Sequence, residues 1–368
     1  MESKFAKIFV SLSVGSVALI ALYYGLCLSS FHKSTTPSPS LNGVLIDTEV
    51  RIKKAKGKKF NENTLDRNLE FNITGNDVLV FLHIQKTGGT TFGRHLVQDI
   101  ELDKPCKCYR GQKKCDCFRP NSSRELWLFS RFSTGWSCGL HADYTELINC
   151  VDIMMDKKER QEKKRRSYYF ITVIREPVSR YLSEWQHVQR GATWKDAVHM
   201  CDGRPPTSEE LPICYEGEDW KGVLLEEFMN CPHNLANNRQ TRMLADLALV
   251  GCYNHSLMPE EERNEKILSS AKTNLRRMAF FGLTEFQKRT QYMFEKTFKL
   301  KFDEPFEQFD KTKSSSVVVT DEHKERIRQL NALDIELYAY AKNLFMQRYK
   351  YMAQENENAD FIKEIANW

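Results

Sequence analysis

Three short apolar runs interrupt a mostly polar chain: Val78-Leu-Val-Phe-Leu-His-Ile84, Tyr168-Tyr-Phe-Ile-Thr-Val-Ile174 and Ala279-Phe-Phe-Gly-Leu283. Each has the length of a strand and is apolar at nearly every position, not at alternate ones, as in strands of parallel sheets buried on both faces. Helical spacing follows each run, from Thr91 to Asp99, from Val178 to Gln189 and from Thr284 to about Lys299. Pro177 cannot continue a ladder and separates the second strand from its helix. Near the end, Thr320 is placed to cap a long helix with Ile327, Leu330, Leu333, Leu337, Tyr340 and Leu344 on one side. Strands alternating with helices predict an α/β sandwich with a central parallel sheet and right-handed crossovers. No internal repeat is visible.

The N-terminus follows a different pattern. From Ile8 to Leu28 there is no charged residue, and a helix needs ~20 such residues to cross a bilayer. Lys4 and Lys7 precede the run, which orients the N-terminus to the cytosol and the remainder to a lumen or the exterior. A cleaved signal peptide is the competing reading, with Cys27-Leu-Ser29 as a weak cleavage site, but its apolar region should span only ~7–15 residues. The expected layout is a cytosolic tail (1–7), a transmembrane signal-anchor (8–28), a stem (29–75), a lumenal body (76–350) and a polar tail (351–368). Within the stem, Ser34-Thr-Thr-Pro-Ser-Pro-Ser40 is flexible in composition, and Arg51 to Lys59 is basic without an apolar face.

Cysteine usage agrees with a lumenal body. Of eleven cysteines, only Cys27 lies in the anchor, leaving ten from Cys106 to Cys252. An even count in an oxidising compartment favours disulfides. Cys106-Lys-Cys108 and Cys115-Asp-Cys117 could close a hairpin with nested bridges. Zinc is the alternative for these four, although structural zinc sites usually put two to four residues between paired cysteines, where each pair here has one. The pairing itself stays open. Three Asn-x-Ser/Thr acceptors, at Asn72, Asn121 and Asn254, fit the same compartment if they are exposed there. A formal charge of +5 on 368 residues does not suggest a nucleic-acid binder, so any basic site must be local. Asp156 to Arg166 is a dense charge run, read as a solvated helix face or as a surface for a polyanion.

The chemistry concentrates after the first two strands. Gln85-Lys-Thr-Gly-Gly-Thr-Thr91 is a turn with two glycines leading into a helix, which brings backbone N–H groups and the Lys86 charge onto an anion. In nucleotide triphosphatases the lysine follows the glycines, as G-x-x-x-x-G-K-S/T, whereas here it precedes them. The second strand ends in Arg175, where such enzymes place an acidic residue that directs magnesium, and Ser183 lies two helical turns on. An arginine and a hydroxyl so placed can grip a second phosphate, though a surface arginine and a capping serine would look the same.

Together these sites resemble the sulfotransferases that use 3′-phosphoadenosine 5′-phosphosulfate, in which Lys-Ser/Thr-Gly-Gly-Thr holds the 5′-phosphosulfate and an Arg and Ser eight residues apart hold the 3′-phosphate. The residues that match are Lys86, Thr87, Gly88, Gly89, Thr90 and Thr91, then Arg175 and Ser183. Phe81 to Leu96, Gly111 to Cys115 and Leu128 to Asp143 are more narrowly similar to heparan-sulfate 6-O-sulfotransferases, from about residue 76 to about 350. The resemblance implies a P-loop-like three-layer sandwich, a Golgi type II membrane enzyme and heparan sulfate as partner.

It also implies that His141 is the base that takes the proton of a glucosamine 6-hydroxyl as sulfate is transferred. Lys86 and Lys114 would stabilise charge at the reacting centre, and Lys113, Lys114, Arg131, Trp136 and His141 would contact the acceptor. His83 either faces the cofactor or simply packs. Lys311 to Ser316 is a candidate to close over the nucleotide. No metal constellation is visible, and none is expected. A 2-O or chondroitin sulfotransferase, a kinase-like enzyme and a non-catalytic heparin-binding protein are the competing readings.

Overall fold

The computed structural model describes residues 59–366 except 68, 162 and 308–318. The apolar N-terminal segment and the Lys311–Ser316 stretch lie outside the described residues. In chain order the elements are α1 (Glu62–Leu65), β1 (Asp77–Leu82), α2 (Gly89–Gln98), β2 (Lys107–Cys108), β3 (Cys115–Asp116), β4 (Leu128–Phe129), α3 (Tyr144–Glu159), β5 (Ser167–Ile174), α4 (Pro177–Gln189), α5 (Leu225–Asn230), α6 (Arg239–Leu244), α7 (Glu260–Arg277), β6 (Phe280–Leu283), α8 (Gln287–Phe298), α9 (Asp321–Leu330) and α10 (Ala332–Ala366).

The central sheet is parallel throughout, in the order β4-β1-β5-β6. Val78, Leu79, Val80 and Leu82 of β1 are fully buried and Phe81 nearly so. Since successive side chains point to opposite faces, both faces of the sheet are covered by helices. Burying each such side chain contributes about 1.5–3 kcal/mol, which makes this strand the centre of the core.

Several boundaries depart from the sequence reading, among them the start of α8, which is Gln287 and not Thr284. β1 ends at Leu82, so His83 and Ile84 have left the ladder and belong to the loop. Helix α2 starts at Gly89, two residues early, because Gly88 at φ 80° supplies the left-handed turn into it. The expected long C-terminal helix is broken at Asn331. There Asn238 uses its side chain to accept from the backbone N–H groups of Leu333 and Asp334, and its own N–H donates to the Asn331 side chain. Asp334 returns the favour by accepting from the N–H groups of Gln240 and Thr241, so α6 and α10 cap each other. No described helix is long and apolar enough to cross a membrane.

Part of the segment read as stem packs on the body. Phe71 meets Tyr169 and Phe298 edge to face at 5.5 and 5.6 Å, and Arg348 donates to the Thr64 carbonyl at 3.2 Å. The compact unit accordingly begins at Lys59. All ten body cysteines pair, the hairpin β2–β3 being closed by nested bridges Cys106–Cys117 and Cys108–Cys115, with Cys138–Cys150, Cys201–Cys252 and Cys214–Cys231 beyond it.

Helix α4 is locked to α6 by a buried charge cluster. Glu184 accepts from Arg180 on its own helix and from both Arg239 Nε, at 2.9 Å, and Arg239 Nη2. Burial alone would raise the Glu184 carboxyl, but the guanidiniums of Arg239 and Arg180 outweigh it and bring it down to about 2. Removing the carboxylate would strand two buried guanidiniums. Glu184→Ala should therefore cost about 3–5 kcal/mol in equilibrium denaturation, and an unchanged midpoint would refute this account of the cluster.

Candidate active site

The strand order places a topological switch point between β1 and β5: the chain leaves β1 toward β4 on one side and leaves β5 toward β6 on the other. Open parallel sheets bind ligands in the crevice at the carboxyl ends of such strands. Leu82 is level with Thr172 in the register, so the loop after β1 and the residue after β5 emerge side by side. Arg175 donates from Nη1 to the Lys86 carbonyl at 3.3 Å. Gln240 fixes the Arg175 backbone from both sides, accepting from its N–H at 2.8 Å and donating to its carbonyl at 2.9 Å.

The loop is held in a rare conformation. Lys86 sits at φ 65°, Thr87 is fully buried with its hydroxyl donating to the Ile84 carbonyl at 3.1 Å, and the Thr284 hydroxyl bonds the Thr87 carbonyl at 2.6 Å. A side chain at Gly89 has no room, since a Cβ there would lie 2.5 Å from the His83 ring. The Gly88 carbonyl accepts the first bonds of α2, from the N–H groups of Thr91 and Phe92 at 3.0 and 3.2 Å, so the N–H groups of Gly89 and Thr90 precede the ladder and open onto the loop.

Positive charge gathers here without direct ion-pair partners. Lys86, Arg131 and Arg175 form no ion pair among the described residues, while the ion pairs that do exist lie elsewhere, as in Arg166–Glu159 and Arg239–Glu184. Burial, then Arg190 and Arg175, holds the Lys86 ammonium below its ordinary value, partly offset by Glu184. Burial lowers Arg175 and Arg131 as well. Partly desolvated cations left facing one crevice make it a site for an anion.

His141 completes the crevice. Its ring is buried, lies 4.5 Å from Trp136 and 5.2 Å from Trp194 between centroids, and stands 4.9 Å from His83. Its Nδ1 is 3.0 Å from the His83 carbonyl. A carbonyl only accepts, so Nδ1 carries the proton and Nε2 keeps its lone pair. Burial brings the imidazole down to about 4, against the opposing pull of that hydrogen bond, which keeps it neutral at physiological pH. His83 itself is stacked between Phe81 and Trp136, with Nδ1 unpartnered.

Of the residues named from sequence, the fold gathers Lys86 to Thr91, Arg131, Trp136, His141 and Arg175. Arg131 lies over Trp136 at 5.1 Å and donates to Thr90 at 3.4 Å. Ser183 is half-buried on α4, one residue before Glu184. Lys113 and Lys114 are exposed on the turn of the disulfide-closed hairpin, and the Lys114 stem comes within 3.1 Å of a Cβ built on Gly135, beside Trp136. Among the described residues no hydrogen bond or ion pair ties Lys113 to the others. Asn72 and Asn121 are exposed, whereas Asn254 is half-buried. Potential metal-ligand groupings occur at Asp143, Glu146 and His199 and at Cys201, Asp202 and Cys252, but the first pair of carboxylates forms the capping box of α3 and the two cysteines bond each other. Sequence reasoning missed Gln240, Thr284 and Trp194; only Trp194, an aromatic in the Gly191-containing loop after α4, carried a local signal.

The sulfotransferase family profile matches residues 69–341. The chain belongs to the sulfotransferase family. It is 60% identical over 324 residues to heparan-sulfate 6-O-sulfotransferase 2 of Gallus gallus, covering 88% of this chain and 80% of that protein. It is 64% identical over 291 residues to heparan-sulfate 6-O-sulfotransferase 1 of Homo sapiens, covering 79% and 71%. Against heparan-sulfate 6-O-sulfotransferase 2 of Mus musculus the identity is 63% over 297 residues, 80% of this chain but 48% of that protein.

Two outcomes follow for this sulfotransferase from the packing of its site. Gly89→Ala should lose about 1–3 kcal/mol through overpacking against His83, read by thermal denaturation. The folded His141 lies below its ordinary 6.5, so the unfolded chain binds the extra proton and acid favours unfolding. His141 therefore contributes stability that is complete above about 6.5 and fades as pH falls toward about 4. A His141→Asn variant should show a shallower loss of stability across that window, and an unaltered slope would contradict the assignment.

Proposed function

We propose that this enzyme transfers the sulfuryl group of 3′-phosphoadenosine 5′-phosphosulfate to the 6-hydroxyl of glucosamine units in heparan sulfate. The family membership and the sequence identity to named 6-O-sulfotransferases support the reaction and acceptor. The observation that carries the mechanism is the buried, neutral His141 with Nδ1 tied to the main chain, beside a crevice of unpaired cations.

The phosphosulfate supplies an activated sulfur and leaves as adenosine 3′,5′-bisphosphate when the hydroxyl oxygen forms its bond to sulfur. The loop Lys86, Thr87, Gly88, Gly89, Thr90 and Thr91 would hold the 5′ end, and Arg175 with Ser183 the 3′-phosphate. The residues present suit such a ligand: the loop rejects a side chain at Gly89, and Lys86, Arg131 and Arg175 have no ion-pair partner among the described residues that an anion would have to displace. His141 Nε2 accepts the hydroxyl proton, and the indoles of Trp136 and Trp194 keep water from it. Lys86 bears on the leaving oxygen, and Lys114 on the transferring group, removal of such a donor costing roughly 10²–10³ in turnover. Lys113, Arg131 and Trp136 receive the acceptor.

The same reading makes the protein a single-pass type II Golgi enzyme anchored by residues 8–28, with Asn72, Asn121 and Asn254 as the glycan acceptor motifs. His141→Ala should lower turnover by roughly 10²–10⁴ with the Michaelis constant for donor largely unchanged. Disaccharide analysis of heparan sulfate treated with wild-type protein should find the new sulfate on the glucosamine 6-position. Sulfate at the uronic acid 2-position, or on chondroitin alone, would overturn the reading.

A further inference from the structure

The charge run from Asp156 to Arg166 divides in two when folded. Arg166 is turned inward and paired with Asp156 and Glu159, and Lys164 is paired with Glu125 at 2.6 Å. These bonds, with Glu159 accepting from the Leu126 N–H at 2.8 Å, fasten the end of α3 to the segment that follows the hairpin. Lys157, Lys158, Arg160 and Lys163 are exposed and form no ion pair among the described residues. Arg160 and Lys163 both adopt positive φ, 54° and 52°, so the chain winds back on itself there. A shallow concavity of ≈ 460 Å³ is lined by Lys157, Arg160, Gln161, Lys163 and Asp156, whose carboxylate is taken by Arg166.

This patch is continuous with the active site through Lys114. The Lys114 stem lies beside Gly135, next to Trp136. Partial burial first, and then the ammoniums of Lys114 and Lys157, lowers the Lys158 ammonium from its ordinary value. The hairpin adds Lys107 on its first strand and Arg110 and Lys113 at its tip, all exposed, on a β-ribbon held rigid by two disulfides. A file of like charges that folding has pushed together, while neighbouring cations were given carboxylates, is matched by a polyanion.

We propose that the acceptor polysaccharide leaves the active site over the hairpin tip and continues along the C-terminal end of α3, where Lys157, Lys158, Arg160 and Lys163 hold sugars remote from the reacting hydroxyl. This rests on the reading of the reaction given above. The surface makes the enzyme selective for long, already charged chains, because each distant contact adds affinity without touching the centre.

The test substitutes Lys157→Ala, Lys158→Ala, Arg160→Ala and Lys163→Ala together and uses full-length protein. Four exposed pairs of ordinary strength should raise the Michaelis constant for a long heparan chain roughly five- to thirtyfold. Values for a trisaccharide acceptor and for the donor should stay unchanged, and the variant should elute from immobilised heparin at lower salt. Equal loss on the trisaccharide, or no change on the long chain and in heparin elution, would overturn the proposal. Weakened binding to anionic vesicles with heparan kinetics intact would also overturn it, assigning the surface to the membrane. Wild-type protein that sulfates neither acceptor would sink the reaction itself, and heparin elution would still read the surface independently.

Discussion

Two parallel strands that end at the same height set the geometry on which this active site depends. The β1–β5 register aligns Leu82 with Thr172, and the opposite directions of the two outgoing connections leave a crevice between them. Backbone from one strand and a guanidinium from the other then meet at Arg175 and Lys86. A slip of one residue would send Arg175 to the opposite face of the sheet and part it from the Lys86 loop. The near-complete burial of β1 makes such a slip costly.

The charges around the crevice follow a division of labour. Arg180 and Arg239 are paired with the Glu184 carboxylate and serve the fold, while Lys86, Arg131 and Arg175 form no ion pair among the described residues. Glu184 marks the boundary, neutralising two guanidiniums below the site, receiving the Trp194 indole N–H at 3.2 Å and giving Lys86 and His141 only a distant compensating field. The energetic tension of the crevice is thus stored by folding and relieved by an anion. His141 belongs to the same economy: burial that would penalise an imidazolium holds the ring neutral, with its one free nitrogen available to accept.

Much of this was visible in the chain. All three apolar runs became parallel central strands because strands buried on both faces have a composition that helices and half-buried strands lack. The loop and Arg175 were legible because chemistry at strand ends is local in sequence. The fourth strand, Leu128–Phe129, was not predicted because two residues carry no periodicity. Nor was the break at Asn331, which depends on Asn238 and Asp334 reaching across 93 to 96 positions. Gln240 and Thr284 act on backbone groups far away in sequence, so nothing local announced them. The charge run resisted reading for a related reason: which of its cations are paired depends on Glu125 and on the turn after α3, not on the run's own composition.

The central claim is that one bisphosphorylated nucleotide is gripped from both strand ends, and calorimetric titration with adenosine 3′,5′-bisphosphate tests it most directly. Lys86→Ala and Arg175→Ala should each weaken binding. Because the proposed reading assigns them to different phosphates and Arg175 touches the Lys86 loop, their combination should weaken it further, with a measurable coupling between the two. Binding that is absent in the wild type, or that survives the double substitution undiminished, would contradict the account.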